Sequence, residues 1–166
     1  MNVNRQINVN ASASELWHIL ADKYDKVGEW TSAIPDSAPN PDLPEGQGRV
    51  CTTSNFGITK ETITHMDEAE QSFGYNVDIP EGPFFIQGVD NTWRVEPNGE
   101  INTTVFMQAQ VQLLPVFAQL MSPILKRQMA KRVDKILEEL KYYAETGQIH
   151  PRKQEQLRTS KLPVGA

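Results

Sequence analysis

The stretch "INTTVFMQAQVQLLPVFAQLMSPILKRQMAKRVDKILEELKYYAETG", residues 101–147, changes its hydrophobic period halfway along. In its first part Ile101, Thr103, Val105, Met107, Ala109, Val111 and Leu113 fall on one side. Apart from Phe106, the other side is mostly Asn, Thr and Gln, the pattern of a strand with one wet face. From Pro115 the apolar residues recur at steps of three and four: Phe117, Leu120, Met121, Ile124, Leu125, Met129, Val133, Ile136, Leu137 and Leu140. This is the stripe of one long helix reaching about residue 144, with Gly147 and Pro151 marking its exit. A sheet with one apolar face needs a cover, and the helix that follows its last strand supplies one.

Upstream, the two-residue period recurs in short blocks divided by turn chemistry. "RVCTTSN", "ITKETITHM", "QSFGYNVDI" and "FFIQGVDNTWRVE" are set apart by residues 55–57, residues 67–70 and "PEGP", and "PNGE" precedes the last strand. Their order predicts an antiparallel meander. Nearer the amino end, Val3, Arg5, Ile7 and Val9 alternate with asparagines and Gln6 in a strand that ends near Asn10. Ser12 and Glu15 have the spacing of a capping box, and Leu16, Trp17 and Leu20 form the inward stripe of a short helix. "DKYDKVGEW" is at best a second helical turn. "TSAIPDSAPNPDLPEGQG" carries Pro35, Pro39, Pro41 and Pro44, none of which can donate a ladder hydrogen bond, so it reads as a long loop. After Gly147, "QIHPRKQEQLRTSKLPVGA" has too little apolar material for a core. The expected division is one α+β domain over residues 1–147 and a polar tail over 148–166.

Composition narrows the function. A chain of 166 residues fits a single domain, and 16 basic against 21 acidic residues give a net charge of −5, which argues against nucleic acid as a partner. One cysteine, Cys51, excludes an intramolecular disulfide. The start "MNVNRQINVN" lacks the basic segment and apolar run of a secretory signal, so the expected location is cytoplasmic. The longest apolar stretch, residues 111–125, is broken by Gln112, Pro115, Gln119, Ser122 and Pro123, and no transmembrane segment is read from it. His18, His65 and His150 lie far apart, and no Cys/His pair has ligand spacing. No phosphate-cradling glycine motif or nucleotide fingerprint is present. No metal and no cofactor are expected.

The order of the pieces resembles the START-like, Bet v 1-like (SRPBCC) superfamily, and more narrowly its polyketide cyclase/dehydrase and lipid-transport group. The resemblance covers about residues 3–146 and rests on "VNASASELWHILAD", Trp30, "GQGRV", "KETITHMDEAEQSFGYNV", "NTWRVEPNGEINTTVFMQ" and "ILEELKYYAETG". It implies a helix-grip fold: a curved antiparallel sheet of about six strands wrapped around a long C-terminal helix, with two short helices after the first strand. A cavity for a small hydrophobic or aromatic molecule lies between sheet and helix in this family. The resemblance places Trp30 near the cavity mouth, where it either packs on a ligand or plugs the core. It also implies an arginine on the second strand at the position that falls here near Cys51, which leaves Glu61 without its usual internal partner.

Alternation groups Glu61, Ile63 and His65 on one face of the third strand, with Ile63 marking that face as inward. A carboxylate and an imidazole there can move protons in the cyclisation or dehydration of a carbonyl compound, with Tyr75 as an assisting hydroxyl, or can orient a ligand by hydrogen bonds. The other reading ties Glu61 into a buried polar pair and leaves His65 at the rim. Phe73, Tyr75 and Val77 on one strand, Phe85, Asn91 and Trp93 on the next and Met107 on the last complete the expected lining, Tyr75 and Asn91 offering hydrogen bonds. A bulge at Gly74 or Gly88 would reverse part of it. On the helix Met121, Ile124, Leu125 and Met129 either touch the ligand or pack on the sheet. Cys51 has no basic or helix-terminal neighbour in sequence and reads as a small buried side chain, not a nucleophile. Lys126, Arg127, Lys131, Arg132 and Lys135 form a basic stretch that reads as a solvated face, with contact to an acidic membrane surface or a protein as the alternative. Three functions follow: a non-catalytic binder or transporter of a hydrophobic ligand, a cyclase or dehydratase, and a protein- or membrane-associated accessory factor. Oligomeric state stays open between monomer and homodimer.

Overall fold

A computed structural model describes residues 1–160, apart from the side chain of Leu120. Seven strands form one curved antiparallel sheet in the order β1-β7-β6-β5-β4-β3-β2. They are β1 (Asn2–Val9), β2 (Asp36–Pro39), β3 (Gly48–Thr53), β4 (Gly57–Asp67), β5 (Ser72–Asp78), β6 (Ile86–Pro97) and β7 (Thr103–Leu113). From β3 to β7 each strand pairs with its sequence neighbour, and β1 closes on β7 with Val3 opposite Ala109 and Val9 opposite Thr103. The long helix α3 (Pro115–Thr146) lies across β1 and β7 and ends on Gly147, whose φ of +67° is the left-handed conformation favoured at this cap.

The meander and the final helix follow the sequence pattern, while the ends depart from it. The expected loop after Trp30 contains β2, pairing with β3 as the edge of the sheet, which is where a strand bounded by proline is tolerated. Gly28 lies against it so closely that a β-carbon would meet Ser37 N at 2.8 Å, and its own amide donates to Ser37 Oγ at 2.9 Å. The short helices α1 (Ala13–Trp17) and α2 (Val27–Trp30) are joined by one π turn and one 3-10 turn, and the Ser12–Glu15 capping box is formed.

Part of the segment expected as a polar tail, residues 151–160, is helical. Pro151–Ser160 form a further helix, α4, whose Lys153 is 1% exposed. Its ammonium donates to the carbonyls of Ile34 and Pro35 at 3.1 and 2.9 Å, which is how a polar segment docks without an apolar stripe. Residues 161–166 lie outside the described residues. No helix among the described residues is long and apolar enough to cross a membrane.

One packed cluster joins Val3, Val9, Leu16, Val95, Val105, Leu137 and Leu140, all close to fully buried. It fills the space between the sheet and the later turns of α3. The first turns of α3 do not seal the rest: Val116 and Ile124 are exposed, and Phe117 stacks on Phe85 instead. Ile101, expected on the inner face, precedes β7 and is exposed.

Candidate functional site

Alternation along β3 turns Arg49, Cys51 and Thr53 inward, and the register sets Arg49 directly opposite Glu61 on β4. Glu61 Oε2 accepts from Arg49 Nε at 2.8 Å and pairs with Nη2 at 2.6 Å, and the Tyr24 hydroxyl donates to it at 3.4 Å. Arg49 Nη1 donates to the Tyr24 carbonyl, and the guanidinium lies 3.9 Å from the Tyr24 ring centroid and 5.1 Å from that of Tyr75. Burial works against the Arg49 charge, but the Glu61 carboxylate and the two phenols hold the guanidinium above its ordinary range. The arginine placed near Cys51 by resemblance therefore stands two residues earlier on the same face, and Glu61 is paired. Cys51 itself is fully buried beside this pair, and burial, with the Glu61 carboxylate next, pushes its thiol up to about 12.

Beside this pair lies a cavity of about 130 Å³ between the sheet, the short helices and α3. That is the scale of the engineered ~150 Å³ cavity that takes up benzene. Of the residues singled out in the sequence, Trp30, Glu61, Phe73, Tyr75, Asn91, Trp93, Met107 and Met129 line it, as does Val77. Tyr24, Phe73 and Tyr75 form an aromatic cluster on one wall, and Trp93 Nε1 reaches the Tyr75 hydroxyl at 3.5 Å. Burial drives the Tyr75 phenol well above its usual range, so that hydroxyl stays protonated.

Cys51, Ile63, His65, Phe85, Met121 and Leu125 do not line this cavity. For His65 the cause is a shift of register in β4: Ile63 pairs with Tyr75, but His65 pairs with Gly74, leaving Thr64 as the extra residue. The shift reverses the alternation, so the imidazole is exposed and lies over Gly74 on the outer face. Glu61 and His65 are not brought together. A second shift between Ile86 and Gly88 separates Phe85 from Val89, Asn91 and Trp93, and Phe85 stacks with Phe117 at 5.1 Å. Leu125 lines only a shallower depression that adjoins the cavity.

The sequence reading missed Tyr24, Arg49, Val89 and Arg132 as lining residues. Arg49 was legible from its two-residue step to Cys51. Arg132 was legible from its place in the Met129, Val133 and Ile136 stripe, although its charge had assigned it to the solvated face. Trp30 is 3% exposed, and its indole N–H is the one buried side-chain donor without a hydrogen-bond partner among the described residues.

The sequence model of the polyketide cyclase / dehydrase and lipid transport family matches residues 1–145. No curated protein matches the chain in sequence. Among solved structures, a START superfamily protein from Mycobacterium smegmatis superposes with a TM-score of 0.69 at 16% identity, covering 89% of this chain and 99% of that one. A Bacillus cereus protein gives a TM-score of 0.70 at 14% identity over 90% and 99% of the two chains. Norcoclaurine synthase from Thalictrum flavum, in complex with dopamine and hydroxybenzaldehyde, gives 0.57 at 16% identity over 83% and 84%. These likenesses establish the fold.

Proposed function

Because the chain belongs to the polyketide cyclase/dehydrase and lipid-transport family, we propose that it holds a small hydrophobic or aromatic molecule in the cavity between its sheet and α3. The observation that carries this reading is the cavity itself: about 130 Å³ left open where the two layers would otherwise interdigitate. Cores pack to near-crystalline density, and a void of this size leaves its lining without contacts that a guest restores. Phe73, Tyr75, Trp93, Met107 and Met129 give that guest apolar and π surface. Asn91, and Oε1 of Glu61, which accepts no hydrogen bond among the described residues, give it polar contacts. Native mass spectrometry of gently purified protein, followed by titration with single-ring and lipid-like compounds, tests this. A one-to-one adduct is expected, and no adduct with any of them overturns the reading.

A second reading, acid–base catalysis on a carbonyl guest, draws support from the same Oε1 atom and from the ligands in the norcoclaurine synthase structure. With His65 on the outer face it reduces to Glu61 as proton carrier and Tyr75 as hydrogen-bond donor. Glu61→Gln is then expected to abolish turnover of a carbonyl substrate while binding changes little. Full activity in that variant removes the assignment.

A further inference from the structure

Two arginines line the cavity, and their surroundings differ. Arg49 is neutralised by Glu61, donates to a carbonyl and is flanked by two aromatic rings. Arg132, on α3, donates to the Ala33 carbonyl at 3.1 Å and has no carboxylate within ion-pair distance among the described residues. It is half-buried, and burial pulls its charged form down, with Glu61 and Tyr75 opposing that at longer range. A cation that is both partly desolvated and unpaired is an uncommon arrangement.

Its position gives it a use. Arg132 lines the cavity and also the adjoining shallow depression, which shares Phe56, Ile86, Val111 and Met129 with it and is the side on which we place the entrance. The charged side chains of the entrance are Lys131, Arg132 and Lys135, with no acidic residue among them. The charged residues lining the cavity are the exposed Lys23, Arg49, Arg132 and a single carboxylate, Glu61, which Arg49 already holds. The chain as a whole carries −5, so this route is locally opposite in sign to the molecule. Trp30, which also lines the cavity, adds a buried N–H with no acceptor among the described residues.

From these observations we infer that the guest is an amphipathic carboxylate, its apolar body in the cavity and its anionic end on the Arg132 guanidinium at the entrance. The inference rests on the proposed binding role and names the class of ligand. A guanidinium that already donates one hydrogen bond to a backbone carbonyl is held in place, so little side-chain freedom remains to be lost when a carboxylate docks. Lys131 is exposed and Lys135 is half-buried like Arg132; neither lines the cavity, so both would mainly speed encounter, an effect that salt suppresses.

The test is calorimetric titration of the whole chain with matched pairs of acid and alcohol: 3-phenylpropanoate against 3-phenylpropan-1-ol, then hexanoate through dodecanoate against the corresponding alkanols. The wild type is expected to bind the acid of at least one pair about tenfold or more tighter than its alcohol at low salt, with the gap narrowing as salt rises. Arg132→Met should abolish the gap by bringing the acid's affinity to that of its alcohol, with an unchanged far-ultraviolet circular dichroism spectrum showing that the variant is folded. Trp30→Phe should weaken the acid more than the alcohol. Equal binding of acid and alcohol by the wild type overturns the inference while leaving the binding role standing, and requires no variant to fold. A preference that survives Arg132→Met also overturns it. If neither member of any pair binds, the binding role fails and the inference with it.

Discussion

Glu61 and Arg49 form a buried ion pair whose two ends were paid for together, and each depends on the other. Truncating Arg49 to methionine would strand the carboxylate in an apolar wall, which costs about 3–5 kcal/mol for pairs of this kind. Replacing both residues by apolar ones should recover most of that loss. Urea unfolding of Arg49→Met and of the Arg49→Met/Glu61→Leu pair checks this. A single-variant loss under ~1 kcal/mol would show that the pair is not desolvated as described. Cys51 offers a second test at this scale. An unfolded thiol begins to ionise near its reference value of 9.0, whereas the folded one holds its proton up to about 12. Between those values the native state binds more protons than the unfolded chain, so stability falls as pH rises through that window. Tyr24 and Tyr75, also raised by burial, act in the same direction above their reference value. Iodoacetamide at pH 9 should leave the native chain unmodified and label it on unfolding. Rapid native labelling would contradict the burial of Cys51.

Elements whose hydrophobic period runs undisturbed were legible in the sequence; those fixed by polar contacts were not. β7 and α3 announce themselves because their inner faces read continuously from Thr103 to Leu140. The shift at Thr64 leaves no trace in composition, since Thr, His and Met suit either face of a strand, and it moved His65 out of the site. β2 was hidden by its prolines, which an edge strand accepts. α4 was hidden because its attachment is a charge. Lys153 caps the Ile34 and Pro35 carbonyls, while the buried carboxylate of Glu139 accepts from Thr31 Oγ1, Ser32 N and Ser32 Oγ, each at 2.7 Å. Together α3 and α4 hold the loop 31–35, two of whose residues, Thr31 and Ile34, line the cavity. Lys153→Met, which keeps the stem and removes the donor, should cost about 1–3 kcal/mol for the carbonyls left buried. It should also raise amide hydrogen exchange in residues 31–36 more than elsewhere. Unchanged exchange there would mean that α4 does not restrain the loop.

At the scale of the whole molecule, a long helix crosses a curved sheet and meets it fully only along its later turns. Leu137 and Leu140 are sealed into the core, while Met129, Arg132, Val133 and Ile136 face an open space. The stability of one region and the emptiness of the other come from the same two layers. The sequence showed the layers but not the gap, because side-chain identities do not set the distance between elements. The central claim is that this gap takes up a guest. Its most direct test is methyl NMR of methionine-labelled protein titrated with 3-phenylpropanoate and 3-phenylpropan-1-ol. Met107 and Met129 line the cavity, whereas Met66 is exposed and Met121 lies away from the lining. Met1 lines the adjoining depression, so saturable shifts at the Met107 and Met129 methyls, with guest contacts to both and with Met66 and Met121 unmoved, are the expected result. Shifts at Met66 alone, or no saturable shift at either cavity methionine, would contradict the account.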